Sequence, residues 1–153
     1  MERPYVAVVG AGVCDRETYA AAEEVGRLLA ESGAVIVCGG MTGVMEAACK
    51  GAKSAGGTTV GILPSANRAD ANLFVDIAIA TGMGEMRNGL IVRSADVLIA
   101  IGGEWGTLSE ISLALKVGRR VVGLRSWNIG ATLEQGFAAL STPAEAVEAA
   151  LAP

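Results

Sequence analysis

The 153-residue chain carries a net charge of −4 with a pI near 4.9 and is 52% apolar against 18% charged. That is one domain, residues 1–153, with a full core and without the basic face that duplex nucleic acid requires. It contains no histidine, which excludes Ser-His-Asp and Cys-His nucleophilic catalysis and histidine metal sites, and leaves acid–base chemistry to Asp, Glu, Lys, Tyr or Cys.

In chain order, Tyr5-Val6-Ala7-Val8-Val9-Gly10 is a continuous β-rich run, the mark of a strand buried on both faces. Asp15 is placed to cap the helix that follows, whose apolar stripe is Val25, Leu28 and Leu29, and Gly33 closes it. Ala34 to Cys38 reads as the second strand. A helix from about Gly43 to Ala55 comes next, with Ala47, Ala48, Gly51, Ala52 and Ala55 allowing close approach to a neighbour. Thr58 to Leu63 reads as the third strand, Pro64 to Asp70 as a polar loop, Phe74 to Ala80 as the fourth strand and Gly84 to Ser94 as a helix. Ala95 to Ile101 is the fifth strand, Thr107 to Val117 a helix and Val121 to Leu124 the sixth strand. Short helices are expected around Leu133–Leu140 and, after Thr142-Pro143, over Ala144–Leu151.

This alternation implies an α/β fold: a doubly wound, Rossmann-like parallel sheet of six or seven strands with helices on both faces. Ligands of such sheets bind beyond the carboxyl ends of the strands. Cys14, Cys38 and Cys49 lack CxxC spacing and an even count, so small thiols in a reducing cytoplasm are expected, not a disulfide framework or zinc. No apolar run reaches membrane-spanning length and no charged–apolar leader opens the chain, so a cytoplasmic protein without a membrane partner is expected.

Gly10-Ala11-Gly12-Val13-Cys14-Asp15 falls short of a dinucleotide fingerprint. Its third glycine is an aspartate, and the second strand ends in Cys38-Gly39-Gly40 instead of an acid for a ribose hydroxyl. Gly10 and Gly12 still form a tight turn at the ligand end of the sheet. No GxxxxGK[ST] loop occurs. Gly39-Gly40-Met41-Thr42-Gly43 frees the backbone to approach an anion, although the same glycines would also serve a purely structural turn. Gly102-Gly103-Glu104-Trp105-Gly106-Thr107 makes a second strand-to-helix turn of that kind. Within it, Thr107-Leu108-Ser109-Glu110 has the form of a capping box, with Thr107 as cap and Glu110 reaching back. Arg87 and Asn88, just past the fourth strand, can clamp a phosphate. Lys50, Lys53 and Lys116 are the only lysines and show no sign of desolvation, against a Schiff-base cofactor.

Taken together, the Cys38–Ala48 turn and helix, Met86-Arg87-Asn88 and Gly102–Glu110 resemble the Lonely Guy (LOG)/DNA-processing-protein-A superfamily of Rossmann-like proteins, in its small branch near the molybdenum-cofactor carrier proteins. The resemblance runs from about Tyr5 to Trp127. LOG enzymes hydrolyse the N-glycosidic bond of cytokinin nucleoside 5′-monophosphates, using an arginine and a glutamate within an M-R-K and a P-G-G-x-G-T-x-x-E signature. The resemblance places those catalytic roles on Arg87 and Glu110, with Gly103, Gly106 and Thr107 matching. The signature proline falls on Gly102, its second glycine on Glu104 and the lysine on Asn88, and an acid at Glu104 alters the phosphate loop. DNA-processing relatives bind single-stranded DNA, which the acidic balance of this chain opposes.

Two readings follow. The first is a nucleoside 5′-monophosphate phosphoribohydrolase in which Glu110 stabilises an oxocarbenium-like state, Arg87 holds phosphate or ribose, and the amides of Gly40–Gly43 and Gly103–Thr107 bind phosphate. The second is a non-catalytic carrier or sensor of a phosphorylated heterocycle, such as molybdenum cofactor or a signalling nucleotide. Both expect a bound nucleotide-like or pterin-type phosphate ligand, no required cofactor, no metal, and a homodimer or higher homo-oligomer. A third expectation is an interaction protein whose glycine turns are only structural.

Overall fold

The computed structural model describes residues 2–153. The apolar runs form parallel strands β1 (Tyr5–Gly10), β2 (Val35–Cys38), β3 (Thr58–Leu63), β4 (Ile77–Ala80), β5 (Val97–Ile101), β6 (Arg120–Leu124) and β7 (Phe137–Leu140). Helices α1 (Arg16–Glu31), α2 (Val44–Ser54), α3 (Asn88–Ser94), α4 (Trp105–Lys116) and α5 (Pro143–Leu151) alternate with them. Among the described residues the sheet has seven strands in the order β4-β3-β2-β1-β5-β6-β7. Register sets Val8 beside Ile99, Gly10 beside Ile101 and Ile62 beside Ile79. The direction of winding reverses between β1 and β5, and that reversal opens a crevice at their carboxyl ends.

Period-two alternation divides the core. Val6, Val8, Ile36 and Ile99 face α1, α2 and α5, whereas Ala7, Val9, Leu98 and Ala100 face α3 and α4. The doubly wound α/β expectation therefore holds, with seven strands where six were located. The small-residue side of α2 packs on α1: a Cβ at Gly26 would lie 1.9 Å from the Ala48 carbonyl oxygen, and one at Gly51 would lie 1.8 Å from that of Glu23. Asp15 caps α1, its Oδ1 accepting from the Thr18 N–H at 2.7 Å. No helix of the described residues is long and apolar enough to cross a membrane.

Three segments differ most from expectation. β4 begins at Ile77, not Phe74, because Thr59 captures the preceding segment: its Oγ1 donates to the Phe74 carbonyl at 2.6 Å and its N–H to Asp76 Oδ2 at 3.0 Å. The expected Gly84–Ser94 helix is a 3-10 turn over Gly84–Arg87 followed by α3. The expected Leu133–Leu140 helix is a 3-10 turn over Leu133–Gln135, then Gly136 at φ 90°, then β7 paired to β6. A left-handed glycine ends that helix, and pairing to the sheet edge takes the rest of the segment.

Candidate functional site

A cleft of about 210 Å³ lies at the carboxyl ends of β1, β2 and β5. Val9 and Ile91 lie against it, Gly10, Ala11 and Gly12 come from the turn after β1, and Gly39 from the turn after β2. Glu85, Arg87 and Asn88 line it from the segment leading into α3, and Glu104, Gly106, Thr107 and Glu110 from the start of α4. The turns that looked ligand-directed in the sequence thus meet around one space.

The glycines divide by what their missing side chains permit. At Gly39 a Cβ would lie 2.6 Å from Arg87 Nη2 and 2.7 Å from Met45 Sδ, so this glycine lets the guanidinium lie across the turn. At Gly10 it would meet the Ile101 carbonyl oxygen at 2.5 Å. Gly43, at φ 66°, lets the turns after β1 and β2 press together, held by Thr42 Oγ1 donating to the Gly12 carbonyl at 2.7 Å and Val44 N–H to that of Ala11 at 3.1 Å. Gly40 backs onto Leu63, and its N–H donates to Cys38 Sγ at 3.3 Å. Thr42, Gly40 and Gly43 therefore shape the cleft from behind and do not line it. Gly102 and Gly103 face away from it too, into a neighbouring hollow shared with Arg125, Ser126 and Trp127.

Arg87 is fixed by its Nε donating to the Ile62 carbonyl at 2.9 Å and by Nη1 donating to Asn88 Oδ1. Burial lowers its pKa, against the raising effect of Glu110 and other nearby anionic groups. Glu110 is 7% exposed, and burial pushes its carboxyl up to about 8, with the Arg87 charge only partly opposing. No ion pair within 4.0 Å joins Arg87 to Glu110 among the described residues. Near neutral pH the carboxyl is therefore largely protonated, able to donate a hydrogen bond, and the arginine charge is left for a ligand. Glu85 and Glu104 are exposed at the rim, where solvent and salt screen their charge.

Glu110 does not cap α4. The helix starts two residues earlier than expected, with Glu104 as N-cap and the Glu104 N–H donating to Thr107 Oγ1 at 3.4 Å. The T-x-x-E spacing instead carries Glu110 one turn into the helix and onto its buried side. Sequence reasoning also missed Met45 and Glu85 as lining residues, and a thiol pair beneath the turn, Cys38 and Cys49, with sulfurs 3.5 Å apart. It missed the packing of Trp105 against Trp127, with ring centroids 5.2 Å apart. No periodicity links the tryptophan that opens α4 to one in the loop after β6, so only the fold reveals that pair.

The chain belongs to the SLOG cluster4 family, whose model matches residues 3–150. An uncharacterized protein of Archaeoglobus fulgidus is 50% identical over 147 residues, 96% of this chain and 94% of that one. The molybdenum cofactor binding protein of Rippkaea orientalis superposes with a TM-score of 0.91 at 40% identity, covering 97% of this chain and 96% of that one. The molybdenum cofactor carrier protein of Chlamydomonas reinhardtii does so with a TM-score of 0.84 at 34% identity, covering the same shares. These likenesses agree with the resemblance drawn from the three motifs, and they favour its carrier branch.

Proposed function

We propose that this SLOG cluster4 protein is a carrier that binds a phosphorylated pterin of the molybdenum-cofactor class and does not cleave it. The observation that carries the reading is the cleft lined by both Arg87 and the buried Glu110, in a chain 40% and 34% identical over nearly its whole length to the Rippkaea and Chlamydomonas proteins. Burial favours the neutral form of the Glu110 carboxyl, whereas a hydrolase of the LOG kind would use an ionised carboxylate beside a developing sugar cation. A neutral carboxyl and a guanidinium instead make two donors for a phosphate. The amide of Gly106 at the start of α4, and those of Gly10 and Gly12, which line the same cleft, add to them. The likeness to the molybdenum cofactor binding protein of Rippkaea and the carrier protein of Chlamydomonas supports the same choice of cargo. The working form in this reading is a homodimer.

Titration calorimetry with a 6-substituted pterin phosphate tests the proposal, with AMP incubated in parallel. Saturable binding is expected, weakened about 10- to 100-fold by Arg87→Ala, as loss of a charge-assisted hydrogen bond implies, and AMP is expected to stay intact. Release of free adenine that disappears in Glu110→Ala would overturn the carrier reading in favour of the hydrolase.

A further inference from the structure

The cleft around Arg87 is small. Its volume of about 210 Å³ lies below the 300 Å³ or so at which whole-ligand pockets usually begin. It accommodates a phosphate and what adjoins it, and the rest of a phosphorylated heterocycle must lie elsewhere. The wall of the cleft is the Gly102–Gly106 turn. Glu104 and Gly106 face the cleft, whereas Gly102 and Gly103 face an open hollow of about 410 Å³ on the other side, lined also by Arg125, Ser126 and Trp127.

Trp127 stands at that second side, and Trp105 packs against it. Tryptophan occurs only twice in the chain, and the two indoles meet there with centroids 5.2 Å apart and planes inclined at 34°. Trp105 is 76% exposed, an unusual position for the largest apolar side chain. Trp127 is tethered, its Nε1 donating to the Glu104 carbonyl at 3.1 Å. The loop that carries it is fixed by Ser126 Oγ donating to the Gly102 carbonyl at 2.6 Å. Arg125 beside it is the only non-glycine residue at positive φ among the described residues, at 53°. A strained residue held by its surroundings is often kept for a function.

From this geometry we infer that Trp105 and Trp127 form a stacking subsite for the planar heterocycle of the ligand whose phosphate lies at Arg87. The inference rests on the carrier reading and specifies its second contact. A ligand crossing the Gly102–Gly106 turn places its anion in the cleft and its ring against an indole face. Aromatic stacking tolerates any flat heteroaromatic ring, so affinity comes from the tryptophans and orientation from the turn.

Calorimetry on the intact protein with two probes, a 6-substituted pterin phosphate and inorganic phosphate, separates the parts. Trp105→Ala is expected to weaken pterin phosphate about tenfold, as loss of one base-stacking contact does, and to leave inorganic phosphate within about twofold. Trp105→Phe should recover most of the loss, and Arg87→Ala should weaken both probes. If Trp105→Ala leaves pterin phosphate unchanged while Arg87→Ala weakens it, the stacking subsite is wrong and the carrier reading stands. Equal losses for both probes in Trp105→Ala, or a changed molecular mass of that variant, also overturn the subsite. A wild-type protein that binds neither probe removes both proposals.

Discussion

Glu110 shows how one side chain can be legible in type and misread in place. Its distance from the glycine turn drew attention to it in the sequence, but the spacing to Thr107 suited a cap as well as a site. Helix α4 resolves the ambiguity by starting at Trp105 with Glu104 as its N-cap, which turns Glu110 inward. Burying an acid with a single nearby cation costs stability, and the sign of that cost can be measured. Below about pH 4.5, the ordinary value, the carboxyl is protonated in folded and unfolded chains alike and contributes nothing. Between about 4.5 and 8 the unfolded chain releases a proton that the folded one keeps, so folding stability falls as pH rises; above about 8 the loss is complete. Glu110→Gln removes the titration while keeping the shape. Its advantage over wild type in urea unfolding should be small at pH 5 and grow by a few kcal/mol toward pH 8, at about 1.4 kcal/mol per unit of displacement. A constant difference across that range would show that Glu110 titrates normally. For the same reason phosphate-ligand affinity should decline as pH is raised through 8.

At the scale of elements, strands were the most legible: β1, a continuous β-rich run, and β3 both end where the sequence places them, residue for residue. The segment before β7 was not. Phe137-Ala138-Ala139-Leu140 is short and alanine-rich, and alanine is the best helix former, yet pairing with β6 overrides that preference. The small residues of α2 were legible as a contact but not as to partner. The structure gives the partner as α1, at a separation only glycine allows. This makes Gly51→Ala informative, because propensity and packing predict opposite signs. In an unpacked helix the change would stabilise by about 0.8–1 kcal/mol. Here the new Cβ would sit 1.8 Å from the Glu23 carbonyl oxygen, part of a backbone that cannot swing aside. The variant should therefore lose about 1–3 kcal/mol or more, seen as a lowered midpoint in thermal unfolding by circular dichroism. A raised midpoint would mean that α1 and α2 are not in contact in solution.

For the whole molecule, alternating elements implied the layered sheet and located ligand chemistry at its carboxyl rim, but they could not say which surfaces a second copy covers. The apolar residues of the helices bearing Arg87 and Glu110 suggest self-association: of these, Ile91 and Ile111 are core residues, whereas Leu90 is exposed and Leu108 and Leu115 are half-buried. Several exposed apolar residues line the β4 edge and the segment after it: Ile77 is 51% exposed, Ile79 47% and Met86 76%, with Met83 and Leu90 also exposed. β4 has a neighbour on one side only, since β3 is its single partner in the sheet order. An edge strand with two exposed isoleucines invites association unless something covers it. In the homodimeric reading a second copy does so, and because Met86 directly precedes Arg87, the interface borders the phosphate cleft. Light scattering coupled to size exclusion should give wild type twice the 15.4 kDa chain mass. Ile79→Lys, a change on an exposed face that leaves the core intact, should give the single-chain mass while retaining the wild-type circular dichroism spectrum. A wild type that elutes at the single-chain mass, or an Ile79→Lys protein that still pairs, would place the interface elsewhere or remove it.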